Sequence, residues 1–172
     1  SSSTLSFVDG SSDVVLDNTY PVYLFKFNNM HPATDNVNFT VNFRDGGSSY
    51  DATKTSSSWG AYHDEGDSAA AVGYETSFDL AQSTSAQILG IGGSIGNGND
   101  ESLSGTLKLF NPSSTTFVKH YISNIHFYNK DNYAMNSFIA GYCNVTAAID
   151  GVQFAMSSGN IDAGDICLYG IL

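Results

Sequence analysis

Basic residues are scarce in this 172-residue chain: six Lys and Arg stand against 17 Asp and Glu, for a formal net charge of −11. A surface of that sign repels phosphate backbones and anionic lipids, so neither nucleic acid nor a membrane surface is an expected partner. Cysteine is nearly absent. Cys143 and Cys167 cannot build a disulfide framework, and both lie in apolar segments. They read as two buried thiols or as one bridge between neighbouring strands. No run approaches the ~20 apolar residues of a membrane span. The opening SSSTLSFVDG has no basic region and no long apolar core, so no secretory leader is read there. Two N-x-[ST] sequons, at Asn38 and Asn144, would matter only in a protein secreted from a eukaryote, which nothing else indicates. The helix fillers Ala, Glu and Lys are few or clustered, and no strand–helix–strand alternation is visible, which argues against a parallel α/β sheet.

What remains is a β composition: 10 Tyr and 11 Phe among many Ser, Asn, Gly and Thr. The length fits one domain over residues 1–172, with enough chain to bury roughly 70% of its unfolded surface. The clearest strand is NVNFTVNF, with Val37, Phe39, Val41 and Phe43 on one face and Asn36, Asn38, Thr40 and Asn42 on the other. YPVYLFKF places Tyr23, Phe25 and Phe27 together behind a tolerated Pro21. LSFVDGSSDVVL reads as two short strands around an Asp9-Gly10 turn. RDGGSSYDATKTSSS reads as a long polar connection. WGAYHDEGDSAAAVGYE reads as two strands around an acidic turn, Asp64 to Asp67, and SFDLAQST as a loop or one helical turn. AQILGIGG is a strand and GGSIGNGNDESLSG a glycine-rich loop. TLKLF, TFVKHYISNIHFYN with a bulge near Asn124, MNSFIAGYCNV, GVQFAMSS and DICLYGI complete about ten strands. The expected fold is all-β: an antiparallel two-sheet β-sandwich, jelly-roll-like. The segment from Met156 to Leu172 is expected to form its final hairpin. Gly159 or Asn160 would supply a positive φ there. Ile166, Leu168 and Gly170 would share one face of the last strand, and Cys167, Tyr169 and Ile171 the other. A strand apolar on both faces should be covered on both, by the opposing sheet and by a neighbouring subunit or loop.

Signals for chemistry are weak. GGSIG, Gly92 to Gly96, matches a nucleophile elbow at Ser94, but NGNDESLSG cannot supply the helix that motif needs. His120 and His126 share a strand face at a spacing too wide for one metal, and His31 and His63 lie in loop or edge positions. HDEGD and NGNDE gather oxygen ligands without the spacing of a calcium loop, and read as capped turns. Glu65, Glu75 and Glu101 cannot be placed across a glycosidase cleft from sequence. No catalytic residue, cofactor or metal ligand is therefore expected. Trp59, Tyr62 and Tyr74, and the group Tyr121, Tyr128, Tyr133 and Tyr142, offer faces for sugar stacking or for a partner, although a core or subunit interface uses the same residue types more often.

The stretches GTLKLFNPSSTTFVKHYIS, FIAGYCNVTAAIDGVQFAMSSGNIDAGDICLYGI and YLFKFNNMHPATDNVNF resemble a family of small structural proteins of marine tailed bacteriophages. The family's ending, SSGNI-x-x-G-x-I-x-LYGI, falls here at Ser157 to Ile171. The resemblance covers most of the chain and is densest from Gly105 onward. Cys143, Cys167 and Asp165 depart from the family's pattern. The resemblance implies a β-sandwich virion protein without catalysis, a capsid decoration or a tail or fibre component. It would be assembled in the host bacterial cytoplasm with other virion proteins. A homo-oligomer is expected, a trimer favoured, with the last strand (Cys167, Tyr169, Ile171) at an interface. The alternative is a receptor- or glycan-binding fibre head that contacts a host-surface glycan through Trp59, Tyr62 and Tyr74.

Overall fold

A computed structural model describes all of residues 1–172, and it contains no helix. Eleven strands form: β1 (Thr4–Val8), β2 (Val22–Pro32), β3 (Phe39–Arg44), β4 (Lys54–Asp64), β5 (Ala70–Tyr74), β6 (Gln87–Ile88), β7 (Leu103–Phe110), β8 (Lys119–Tyr128), β9 (Tyr133–Cys143), β10 (Gly151–Met156) and β11 (Ile161–Ile171). They build two antiparallel sheets, of order β1-β10-β3-β6 and β11-β2-β7-β8-β9-β4-β5. The small sheet interleaves early and late strands, the long-crossover habit of a jelly roll. The larger sheet carries a β7-β8-β9 meander between β2 and β4.

Period-two patterning explains which faces meet. Tyr23, Phe25 and Phe27 of β2 and Phe39, Val41 and Phe43 of β3 are all buried, as expected. So are alternate residues of β8, from Lys119 through Tyr121, Ser123 and Ile125 to Phe127. One core cluster joins the sheets. At its centre Phe154 of β10 meets Phe25 at 5.3 Å, Phe27 at 5.1 Å and Phe39 at 5.8 Å, edge-on to the first two and stacked on the third. Such aromatic pairs add roughly 0.5–1.5 kcal/mol each beyond area burial.

Five local expectations are corrected. Val14–Leu16 forms no strand. Asp9 Oδ1 accepts the Leu16 N–H at 2.8 Å instead, and β1 pairs with β10. The polar stretch from Arg44 is a connection only to Thr53, because Lys54–Ser58 is the first half of β4. AQILGIGG yields only the two-residue β6. Asn124 carries no bulge, since β8 keeps one register with both neighbours; the irregularities lie in β2 against β7 and in β11 against β2. Finally, Met156 to Leu172 is not a hairpin. β10 belongs to the small sheet and β11 to the large one, paired with β2 from Ile161↔Pro32 to Ile171↔Val22. Alternation fixes which side chains share a face, not which strand lies alongside. Gly159 does take the positive φ, at 69°, and a Cβ there would collide with the Thr34 side chain.

The cysteines do not form the bridge. Cys143 is buried on β9, Cys167 is half-buried on β11, and three strands separate them.

Candidate functional site

The small sheet ends early, and that creates the site. β6 stops at Ile88, while β4 and β5 run on as a wing past it. Every residue of β5 is exposed. Beyond β6 the chain folds back under the wing as the loop Leu89 to Gly93. Ile91 is buried there, and its N–H donates to Ser137 Oγ at 2.9 Å. Glycines permit this approach. A Cβ on Gly60 would lie 2.8 Å from the Asn136 carbonyl and 3.2 Å from Ile91 Cδ1. Gly92 has φ +83°, and a Cβ there would lie 2.7 Å from Met135 Cε. From the other side, Gln87 Nε2 donates to the Phe78 carbonyl at 2.9 Å and fixes Phe78 at the cleft margin.

The result is a cleft of about 520 Å³ between wing and loop, with Ala71, Phe78, Ile91 and Met135 as apolar walls and Glu75 on its rim. A second hollow of about 230 Å³ lies on the other side of Tyr62 and shares Gly92 and Met135 with the first. Asn129, Asp131 and Tyr133 line it. The Tyr62 ring stands edge-on to Tyr133 at 5.4 Å.

The expected aromatic trio is therefore split. Tyr62 lies in the cleft, and Trp59 and Tyr74 lie on the opposite, outer face of the sheet, side by side in register. Trp59 is 43% exposed and stacks on Phe138 at 4.1 Å and 8°. The Tyr74 hydroxyl donates to Asp79 Oδ2 at 2.7 Å, and that bond with a carboxylate raises its pKa. The second tyrosine group does not converge either. Tyr121 is buried and donates to Gln87 Oε1, Tyr128 donates to Asn132, Tyr133 lines the smaller hollow, and Tyr142 faces out near His120.

The remaining motif residues are placed plainly. Ser94 has no helix after it and no hydrogen bond to a histidine. His120 and His126 share the exposed face of β8. Asp64 accepts the Ser68 and Ala69 N–H groups at 2.8 and 2.7 Å and the Ser68 hydroxyl, which pulls its pKa down to about 2. Glu101 caps Gly98 N–H at 2.5 Å. No three His, Cys, Asp or Glu side chains group as ligands for a metal ion.

Register places a second feature on the outer face of the seven-stranded sheet. From β2 to β5 its outward positions include Leu24, Lys26, Lys108, Ile122, Phe138, Trp59 and Val72, and none is Asp or Glu. All but three of the 17 acidic residues lie in loops and turns. Lys26, Lys108, His120 and His126 project outward here and make no hydrogen bond or ion pair within the chain. At the β11 edge, Cys167, Tyr169 and Ile171 continue this face opposite Lys26, Leu24 and Val22. Ile166 and Leu168 pack inward against the core, so the last strand is covered on one face by its own chain.

Sequence reasoning passed over Asn129, Met135 and the loop Gly90 to Gly93 as site residues. The available signal was the pair of strand glycines, Gly60 and Gly73, which lie in register on β4 and β5. Compared with family models, with curated proteins and with solved structures, the chain matches none.

Proposed function

We propose that this chain is a structural protein of a tailed-phage virion that acts by assembly and not by catalysis. The observation that carries the reading is the outer face of the seven-stranded sheet: broad, partly apolar, with no Asp or Glu at its outward strand positions from β2 to β5, and set on a chain of net charge −11. Exposed apolar patches rimmed by polar residues mark contact surfaces on soluble proteins. The acidic loops of one copy complement the Lys26, Lys108, His120 and His126 face of the next, a head-to-tail contact that repeats around a ring. Many copies on a particle multiply a weak contact. A trimer, neighbouring virion proteins and assembly in the host bacterial cytoplasm belong to this reading through the family resemblance of the sequence.

Mass spectrometry and cryo-electron microscopy of phage particles that encode the chain test it. The expected result is an ordered layer or appendage containing this sandwich, with the outer face covered by a neighbour. A particle that lacks the chain overturns the reading.

A further inference from the structure

We infer that the paired hollows around Tyr62 form a binding site for a neutral saccharide. The inference stands apart from the assembly role, because it uses the opposite face of the β4–β5 wing.

The main cleft, at about 520 Å³, falls within the ~300–1,000 Å³ range of small-ligand pockets. Around the two hollows several polar groups are unengaged. Asn129 is 3% exposed, and its Oδ1 accepts the N–H groups of Asp131 and Tyr133 at 3.0 and 2.9 Å. Those two donors fix which end of the amide is oxygen, so Nδ2 points away toward Gly93. Nδ2 has no acceptor in the chain. The N–H groups of Gly92 and Gly93 have no acceptor either. Glu75 and Tyr62 present a carboxylate and a hydroxyl that make no side-chain hydrogen bond within the chain, and at the far end Asp131 adds a carboxylate paired with Lys130 Nζ at 2.7 Å.

This arrangement offers donors and acceptors around an apolar floor of Ala71, Ile91 and Met135. A ring carrying several hydroxyls, each both donor and acceptor, and one C–H face matches all three features. An anionic ligand would meet the unpaired Glu75 carboxylate and a chain of charge −11. A cationic peptide would pair with Glu75 but leave Asn129 Nδ2 and the glycine N–H groups unmatched. A neutral sugar satisfies both.

The test is saturation-transfer NMR and calorimetry on the full chain, with gluco-, galacto-, manno- and N-acetylglucosamine trisaccharides and their sialylated counterparts. At least one neutral sugar should bind at up to about 10 mM, the weak end of specific affinity. Gly73→Leu should abolish binding, because a Cβ at Gly73 meets nothing within 4 Å and fills open cleft. Ala71→Leu is the second plug if that variant does not fold. Asn129→Asp keeps the oxygen that caps the turn and removes the Nδ2 donor, so affinity should fall about tenfold. Trp59→Ala should leave affinity unchanged. Silence across the whole panel, tighter binding of sialylated sugars, full binding in a folded plug variant, or loss of binding in Trp59→Ala each overturns the inference.

Discussion

β4 is one unbroken strand whose two halves meet opposite environments. Its first half, Lys54–Ser58, is nearly all polar, yet Lys54 and Ser58 are fully buried. Its second half carries Trp59 and Tyr62, and both are exposed. The small sheet and the loop after β5 cover the first half and stop short of the second. Burial along this strand is set by what lies across the sandwich, not by the hydropathy of the residue. The buried half is stable because its polar atoms are paired. Lys54 Nζ donates to Asn42 Oδ1 at 2.5 Å and to the Ala52 carbonyl at 2.8 Å, and Ser58 Oγ donates to the Glu75 carbonyl at 2.7 Å. No side-chain polar atom fully sealed from solvent in this half lacks a partner.

The covered end should be the most fragile to substitution. In register, Lys54, Cys143 and Lys119 form one buried inner row across β4, β9 and β8. Lys119 Nζ donates to the carbonyls of Ser114, Val145 and Ala147, and none of these accepts a backbone N–H. Lys119→Met keeps the length of the side chain but strands all three acceptors. It should destabilise the fold by about 3 kcal/mol or more in urea melts. A loss below about 1 kcal/mol would mean that the loops at 114 and 145–147 are not held by this amine.

The same row predicts an alkaline stability maximum. Burial lowers the Lys54 pKa from 10.5 to about 8, and lowers that of Lys119. Burial raises the Cys143 thiol from 9.0 to about 12. Between pH 8 and 10.5 the unfolded chain holds a Lys54 proton that the folded chain has shed, so stability rises with pH. Above pH 9 the unfolded chain loses a Cys143 proton that the folded chain retains, so stability falls. The melting temperature should therefore climb from about pH 8, level off between about pH 9 and 10.5 where the two slopes oppose each other, and fall above that, with a gain over pH 7 of roughly 2 kcal/mol at most. Lys54→Met should remove most of the rise and Cys143→Ala the fall; an unchanged profile in both variants would sink the assignment.

How far the sequence could be read follows the same division. NVNFTVNF and YPVYLFKF are legible because an alternating strand with apolar residues on one face has a single way to face a core. KTSSS is not, because its buried face consists of a lysine and serines whose side-chain partners include Asn42 and Glu75, 12 and 17 residues away. WGAYH is legible as a strand but not in its exposure, since nothing local encodes that β6 is two residues long. Trp59, Tyr62 and Tyr74 were grouped by aromatic character, while parity separates Tyr62 from the other two. The closing strand follows the same rule: its faces are written in the alternation, and its partner, β2, is more than 130 residues away by position.

Within the covered half, the smaller test is a single hydroxyl. Ser58→Ala removes the hydroxyl donor to the Glu75 carbonyl, which keeps only the Phe78 N–H, and leaves the buried position without its hydrogen bond. The expected cost is about 1–2 kcal/mol, read as a lower urea midpoint with an unchanged m-value. That bond tethers the segment after β5 to the strand below. Faster hydrogen exchange should therefore spread to Glu75 and Phe78, whose N–H groups bond to the Ser58 and Glu75 carbonyls at 3.0 and 3.1 Å.

Across the boundary, one residue along, the effect should be smallest. Trp59 is the largest side chain on the strand, and by residue size alone its truncation would be the most damaging change. Its ring, however, lies flat on Phe138 on the outer face, with one side still open to water. Removal forfeits one stacking contact and part of the ring's burial, about 1 kcal/mol, with no cavity inside the sandwich and no stranded donor. Trp59→Ala should therefore melt within a few degrees of the parent, while Ser58→Ala beside it loses more from a far smaller truncation. If the tryptophan variant proves the less stable of the two in the isolated chain, the outer face is already covered before any partner arrives. If the order holds in the isolated chain but reverses on assembled particles, the difference measures what a neighbour contributes by burying that ring.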